Sequence, residues 1–253
     1  ASQIASLSDR SFTLDTSLDA DMERGDIDLS QLLLTMLGAR FRGDVKARNI
    51  LSETPAYQGR LNAAGPDLPT FLQVLGQFQG GSDSSLSKYS KIIANVKNKA
   101  FKINADLDAD LKSGDVDVSE LSVSMLGASI DGEVKARNVS TDTPGYKGQL
   151  KAAGPDLPML MQLLGQVQSG DDSALAEYGR KFAGMRQKAF KIDAGFDADM
   201  KSDDIDLHLL NIDSLGIKVR GNLKAKNALA DNGIVNGKLN SSGKNLSQLL
   251  VAI

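Results

Sequence analysis

Four aspartates, Asp19, Asp21, Asp26 and Asp28, carry the most concentrated charge in the first part of the chain, and the quartet returns as Asp108, Asp110, Asp115 and Asp117 and again as Asp197, Asp199, Asp204 and Asp206. If each quartet spans a hairpin about a short turn such as Glu23-Arg24, Asp21 opposes Asp26 and Asp19 opposes Asp28. Directly opposed like charges are unfavourable, so a counter-charge is required. Calcium is one candidate, since it takes about six to eight oxygen ligands. Against it, the spacing is not that of the D-x-[DN]-x-[DN]-G loop, and alternation along a strand spreads carboxylates over a face instead of gathering them about a point. The other candidate lies in the chain itself: Lys46 and Arg48, repeated as Lys135 and Arg137 and as Lys224 and Lys226. Pairing a second and third strand about Leu37 sets Asp28 opposite Lys46 and Asp26 opposite Arg48, while Leu29 meets Val45 and Ile27 meets Ala47 on the other face. One register satisfies both faces. The second reading is adopted, and no metal site is expected.

Catalytic chemistry has little to work with. There is no cysteine, and the single histidine, His208 in "DIDLHLLN", has no nucleophile-and-base constellation around it. No G-x-S-x-G, phosphate-binding loop or H-E-x-x-H motif occurs. The chain is read as a non-enzyme without a cofactor.

The elements that would carry these side chains follow from a duplication. "YQGRLNAAGPDLP" from Tyr57 returns as "YKGQLKAAGPDLP" from Tyr146, and Phe12, Phe101 and Phe190 are spaced by the same 89 residues. "GDVKARN", "GEVKARN" and "GNLKAKN" keep that offset, as do Leu37-Gly38, Leu126-Gly127 and Leu215-Gly216. Three stacked copies are implied, each covering its neighbour's apolar surface. The boundaries are placed at 1–99, 100–188 and 189–253, with the third copy ending inside a unit, either as blocks or as one continuous domain.

Within a block, alternation of period two dominates: Phe101, Ile103, Ala105, Leu107 and Ala109 share one side and Lys102, Asn104, Asp106, Asp108 and Asp110 the other. Four such segments joined by short turns read as an antiparallel meander. The period then changes. Asp156 stands as a helix cap, Pro158 falls in the first turn, and Leu157, Leu160, Met161 and Leu164 recur at helical spacing. A second segment with Leu175, Tyr178, Phe182 and Met185 carries Arg180, Lys181, Arg186 and Lys188; its counterpart has Lys88, Lys91, Lys97 and Lys99. Such basic amphipathic helices either lie on anionic lipid or bury their apolar stripe on the sheet; the latter is expected. The fold class is thus mainly β with helical pairs (α+β): three four-stranded blocks forming a curved, elongated sheet or trough, with a helical hairpin after the first and second.

A content of 41% hydrophobic and 24% charged residues is that of a folded protein, and a net charge of -3 excludes a broad basic surface for nucleic acid. No apolar run reaches the roughly 18 to 20 residues that span a bilayer, and the first residues lack a signal pattern; the chain is expected to be soluble as it stands. Glycines recur inside strands at Gly43, Gly132, Gly221 and at Gly59, Gly148, Gly237, which favours curvature or close backbone approach. Twelve strands at about 4.8 Å spacing give an open array on the order of 58 Å long, several times the roughly 15 Å depth of a bilayer leaflet.

The segments "NIDSLGIKVRGNLKAKN" from Asn211, "GYKGQLKAAGPDLPMLMQLLG" from Gly145 and "IVNGKLNSSGKNLSQLL" from Ile234 resemble the repeat of AsmA-like proteins: a leucine-glycine turn, a G-x-[LV]-x-A-x-[ND] strand, an x-G-x-L strand and a D-L-x-x-L-L helix start. The resemblance implies a periplasmic segment of a protein anchored in the bacterial inner membrane, which binds or conducts phospholipid towards the outer membrane. With it, the apolar strand face becomes the candidate site for acyl chains: Phe12, Leu14, Phe41, Val45, Phe101, Ile103, Ile130, Val134, Leu150, Phe190, Ile192, Val219 and Leu223. The alternative is a non-enzymatic structural or assembly factor for outer-membrane biogenesis, in which the helices fill the trough and the surface meets outer-membrane assembly proteins. Where the helices go separates the two. The three blocks are expected to superpose at the 89-residue offset with no insertion.

Overall fold

A computed structural model describes residues 11–79, 84–169, 173–228 and 232–243. Alternation produces twelve strands: β1 (Phe12–Asp21), β2 (Asp26–Met36), β3 (Ala39–Arg48), β4 (Ala56–Gly65), β5 (Phe101–Asp110), β6 (Asp115–Met125), β7 (Ala128–Arg137), β8 (Gly145–Gly154), β9 (Phe190–Asp199), β10 (Asp204–Ser214), β11 (Ile217–Lys226) and β12 (Ile234–Gly243). They form one curved antiparallel sheet in sequence order. All strand boundaries repeat at the 89-residue spacing without insertion. Block boundaries do not interrupt the sheet, since β4 pairs β5 and β8 pairs β9 along their full lengths.

The second strand of each block has eleven residues where its neighbours have ten. The extra residue is a β-bulge, between Leu29 and Leu32, Val118 and Leu121, and Leu207 and Leu210 in the pairings with the third strands. A bulge reverses the parity of inward and outward side chains, and the sequence reverses with it. In "VDVSELSVSM" the apolar positions are Val116 and Val118 before the bulge and Leu121, Val123 and Met125 after it. Leu121 therefore still pairs Gly132 and Val123 still pairs Ile130 on the apolar face. A strict alternation through this strand would have put half of it on the wrong side.

The leucine-glycine turns joining second and third strands have positive φ at both residues, for example 55° at Leu126 and 81° at Gly127, the pairing a tight hairpin needs. Leucine in that region costs roughly 1–2 kcal/mol. It is held because Leu126 packs against the core and Leu215 is buried; burying a leucine side chain contributes about 1.5–3 kcal/mol.

Among the described residues four helices interrupt the strands: α1 (Leu68–Gln79), α2 (Ser85–Ile93), α3 (Leu157–Ser169) and α4 (Ala174–Phe182); the helix start in "KNLSQLL" lies outside the described residues. Asp156 caps α3 as the sequence suggests, and the other three helices are capped in the same manner. Asp67 and Asp156 accept from Thr70 N–H (3.0 Å) and Met159 N–H (2.9 Å) through Oδ1, and Ser84 and Ser173 cap α2 and α4. The returning segment is tied to each pair by Leu68 N–H donating to Lys99 O and Leu157 N–H to Lys188 O, both 2.8 Å. Small residues let the paired helices approach closely: a Cβ on Gly165 would strike Ser173 and Ala176, and one on Gly76 would strike Ser84 and Ser87.

The main core lies between the helices and one end of the apolar sheet face. Ala39, Ala63 and Phe101 of the sheet are buried with Leu68, Ile93 and Val96 of the first helical unit and Leu163 of α3. Phe71 stacks on Phe41 (5.0 Å) and meets Phe101 (5.7 Å). The expected burial of the α2 stripe is met at Ile93 and Val96. In α3 the stripe is rotated from the sequence expectation: Leu163 is buried and Leu164 is 50% exposed. The helix serves two neighbours, with Met159 and Leu163 turned to the core and Gln162 and Gly165 against α4, so Leu164 falls on the remaining flank. No described helix is long and apolar enough to cross a membrane.

Phe101 is 5% exposed, so Phe101→Ala is expected to lower unfolding stability by about 3–5 kcal/mol, read from chemical denaturation. The matching change at the edge, Phe12→Ala, where the ring is 70% exposed, should change it by less than about 1 kcal/mol.

Candidate functional site

Strand pairing gathers the thirteen apolar candidates on one face. Leu29 pairs Val45, Val45 pairs Gly59, Gly59 pairs Leu107, Leu107 pairs Val118, Val118 pairs Val134 and Val134 pairs Gly148. The file continues to Phe196, meets the bulge at Leu207 and His208, and resumes through Leu223. A parallel file runs from Leu14 through Leu34, Phe41, Ala63, Ile103, Val123 and Ile130 to Ala152, Ile192, Ile212 and Val219. Between them Leu150 faces Gly132 and Ala194.

The face has two zones, because every helix is inserted at the edge where the fourth strands end and the fifth and ninth begin. At that edge Phe101 and Phe190 are buried, each ring lying where a Cβ of Gly65 or Gly154 would stand. Phe101 is part of the core, and neither ring is an open contact. Phe41 and Ile103 pack against the same core. Farther from this edge Val45, Tyr57, Leu61, Leu107 and Tyr146 are large apolar side chains left exposed among the described residues, and Ile130, in the row of Phe41 and Ile103, is 40% exposed. Val134, Leu150, Ile192, Val219 and Leu223 are half-buried, and Phe12 and Leu14 are exposed on the edge strand β1. Among the described residues no second sheet covers them, since the twelve described strands belong to one sheet.

The strand glycines shape the open zone. A Cβ on Gly132 would collide with the carbonyl oxygen of Gln149, and one on Gly148 with that of Glu133; Gly43 with Gly59 and Gly221 with Gly237 repeat the arrangement. The third and fourth strands thus approach more closely than side chains would permit, in each block. The second-strand residues Leu32, Leu34, Leu121, Val123, Leu210 and Ile212, which are not among the thirteen candidates, share this face. The signal was present as the parity reversal within each second strand.

On the opposite face the aspartate quartets take the predicted register, Asp19 opposite Asp28 and Asp21 opposite Asp26. Counter-charges come from the chain: Lys46 to Asp28 (3.7 Å), Arg48 to Asp26 (3.9 Å), Lys135 to Asp117 (2.7 Å) and Lys224 to Asp206 (2.7 Å). The turn aspartates are satisfied by backbone, with Asp21 Oδ1 accepting from Glu23 and Arg24 N–H and Asp110 Oδ1 from Lys112 N–H. No group of carboxylates among the described residues is arranged to hold a metal ion. His208 sits at the bulge of β10 with its ring over Gly195, where a Cβ would meet Nε2. A recess of about 490 Å³ lies on this polar face, lined by Asp131, Asp193 and Asp213 with Lys151, Lys191, Lys218 and Arg220. Its charges are mixed, and it contains no nucleophile paired with a base.

Hydrogen bonds and attraction from Asp117 and Asp206 raise the Lys135 and Lys224 ammonium groups above the usual lysine range. A raised lysine stabilises the fold fully below its unfolded value near 10.4 and loses that contribution as pH rises through the folded value. Both groups are exposed, so the effect on stability is small and screened by salt. Asp117→Asn is therefore expected to bring the Lys135 titration down towards the ordinary lysine value while leaving Lys224 unmoved, as followed by NMR of the side-chain nitrogens.

No family model matches the chain, and no curated protein or solved structure matches it either. The AsmA-like resemblance rests on the motifs that carry it.

Proposed function

We propose that the uncovered part of the apolar sheet face binds the acyl chains of phospholipid, and that the protein is a non-enzymatic periplasmic segment of an AsmA-like, inner-membrane-anchored carrier moving lipid towards the outer membrane. The observation that carries the reading is the apolar file across the strands from Leu29 to Phe196, with exposed side chains such as Val45 and Leu107, and the parallel file that holds Ile130. Monomeric soluble proteins rarely expose contiguous apolar patches beyond a few hundred Å², and larger ones mark interaction sites. A file of aliphatic groups offers non-directional contact, which suits acyl chains of varied length and demands no hydrogen-bond geometry. At about 4.8 Å per strand it outreaches a leaflet several times over.

The position of the helices favours this reading over a purely structural one. A plugged trough would need them to lie over the middle of the face; they pack on Phe101, Ala63 and Ala39 at one edge. They form one wall of the surface, with contacts from α2 to α3 joining the two pairs.

Val134 tests the reading. It is half-buried in the open file, between Val118 and Gly148. Val134→Asp is expected to keep its thermal unfolding transition, since the carboxylate can hydrate. An unpaired charge in an acyl contact costs several kcal/mol, so phospholipid retained on protein recovered from bacterial membranes should fall at least about tenfold by native mass spectrometry. A folded variant with undiminished lipid would remove the proposal, and an unfolded one would place Val134 beneath a helix and favour the structural reading.

A further inference from the structure

On the polar face of the sheet, cations such as Lys46, Arg60, Lys135 and Lys224 each stand beside a carboxylate of a neighbouring strand. Arg40, Arg42 and Lys102 are placed differently. Pairing of β3, β4 and β5 sets Arg40, Ala64 and Lys102 in one cross-strand row and Arg42, Asn62 and Asn104 in the next. These residues line a recess of about 260 Å³ with no carboxylate in its wall. Ala64 is the small residue between two long cations, and that difference in length makes the hollow. The positions across from the recess on β2 and β6, Leu33, Thr35, Ser122 and Ser124, are uncharged. The adjoining row of Asp44, Arg60 and Asp106 is compensated from within, Arg60 holding Asp106 at 2.9 Å. Among the described residues Arg40, Arg42 and Lys102 therefore have no counter-ion.

We propose that this recess binds a phosphate group. Two strand spacings put Arg40 and Lys102 about 9.6 Å apart along the row, within roughly one Debye length at 0.1 M salt, so the fields of the three cations reinforce one another. The guanidinium forks of Arg40 and Arg42 match phosphate oxygens in pairs, and the half-buried amides of Asn62 and Asn104 supply neutral donors beside them. At about 260 Å³ the hollow is smaller than the roughly 300–1,000 Å³ that holds a whole drug-sized ligand, so it takes the anionic group and leaves the rest of its carrier in solvent. That carrier is either a small phosphate compound or a phospholipid headgroup, which present the same tetrahedral anion. The recess lies on the face opposite Phe41 and Ile103, so it does not depend on acyl chains occupying the apolar face.

The repeat supplies an internal control. At the 89-residue offset Arg42, Asn62, Lys102 and Asn104 become Asp131, Lys151, Lys191 and Asp193. There Lys151 stands between Asp131 and Asp193, and Lys191 lies opposite Asp213. The second recess carries its own counter-charges; the first requires them from outside.

Inorganic phosphate titrated into the whole chain, with chloride holding ionic strength constant, should shift the side-chain amide signals of Asn62 and Asn104 to saturation. Arg42→Gln and, separately, Lys102→Gln change exposed residues and should keep the thermal unfolding transition in chloride while weakening phosphate binding at least about tenfold. Lys151→Gln, in the compensated recess, should leave it within about twofold. Co-sedimentation with vesicles of phosphatidylglycerol and phosphatidylcholine, against phosphatidylcholine alone, separates the two carriers. A headgroup site gives binding to the anionic vesicles that Arg42→Gln abolishes, and a site for small phosphate compounds gives the amide titration with no vesicle binding that depends on Arg42. Amide shifts that do not saturate together with no Arg42-dependent vesicle binding, indifference to both Arg42→Gln and Lys102→Gln, or an equal loss in Lys151→Gln would each overturn the proposal.

Discussion

One constraint governs this molecule: across twelve strands, apolar side chains must stay on a single face of a single sheet. Because side chains alternate, a slip of one residue anywhere would carry half a strand to the wrong side. Register is therefore fixed twice over. On one face Leu29 meets Val45 and Val118 meets Val134; on the other Asp28 meets Lys46 and Asp117 meets Lys135. The ion pairs are exposed and add little stability, but a shifted third strand would take Lys46 and Arg48 away from Asp28 and Asp26 and leave the opposed aspartates of the hairpin without counter-charge. Their use is to exclude alternatives.

The bulge is the place where this constraint is most visible. An eleventh residue in the second strand would break the pattern if the sequence kept alternating, yet the apolar positions change parity at the same point. Added twist comes with a bulge, and the glycines at Gly132 and Gly148 permit backbone approach in the two strands that follow. Curvature is thus built into each block, and three blocks accumulate it. The third block varies the device: against β9 its bulge spans Leu207 and His208, and Gly195 makes room for the imidazole.

A one-layer sheet with one apolar face poses a physical problem that the helices solve only in part. Each pair is short, tightly joined through Gly76 or Gly165, and placed where the chain leaves the fourth strand. Such helices can bury the first rows of the face, including Phe101 and Phe190, but cannot reach the rest. The rows beyond the helices remain partly exposed, as at Val45 and Leu107, and it is to these rows that the acyl contact is proposed.

Much of this was legible in the sequence. The 89-residue spacing gave the repeat of four strands; alternation gave strand faces; Asp156 gave a helix start; and the aspartate and lysine positions gave the cross-strand register. These are local or strictly periodic properties, set by the geometry of a strand or a helical turn. Three things required the tertiary structure. The parity change in "VDVSELSVSM" is written in the residues, but pairing with β7 shows that Leu121 and Val123 rejoin the apolar face. The rotated stripe of α3 depends on two neighbours, α4 and the core, which no helical period specifies. Finally, Phe101 and Val134 both occupy apolar alternating positions; the first is buried under Phe71 and the second lies in the open file. Periodicity states which face a side chain shares. What covers that face is decided by where the helices fold back, a long-range packing choice that alternation along one strand does not contain.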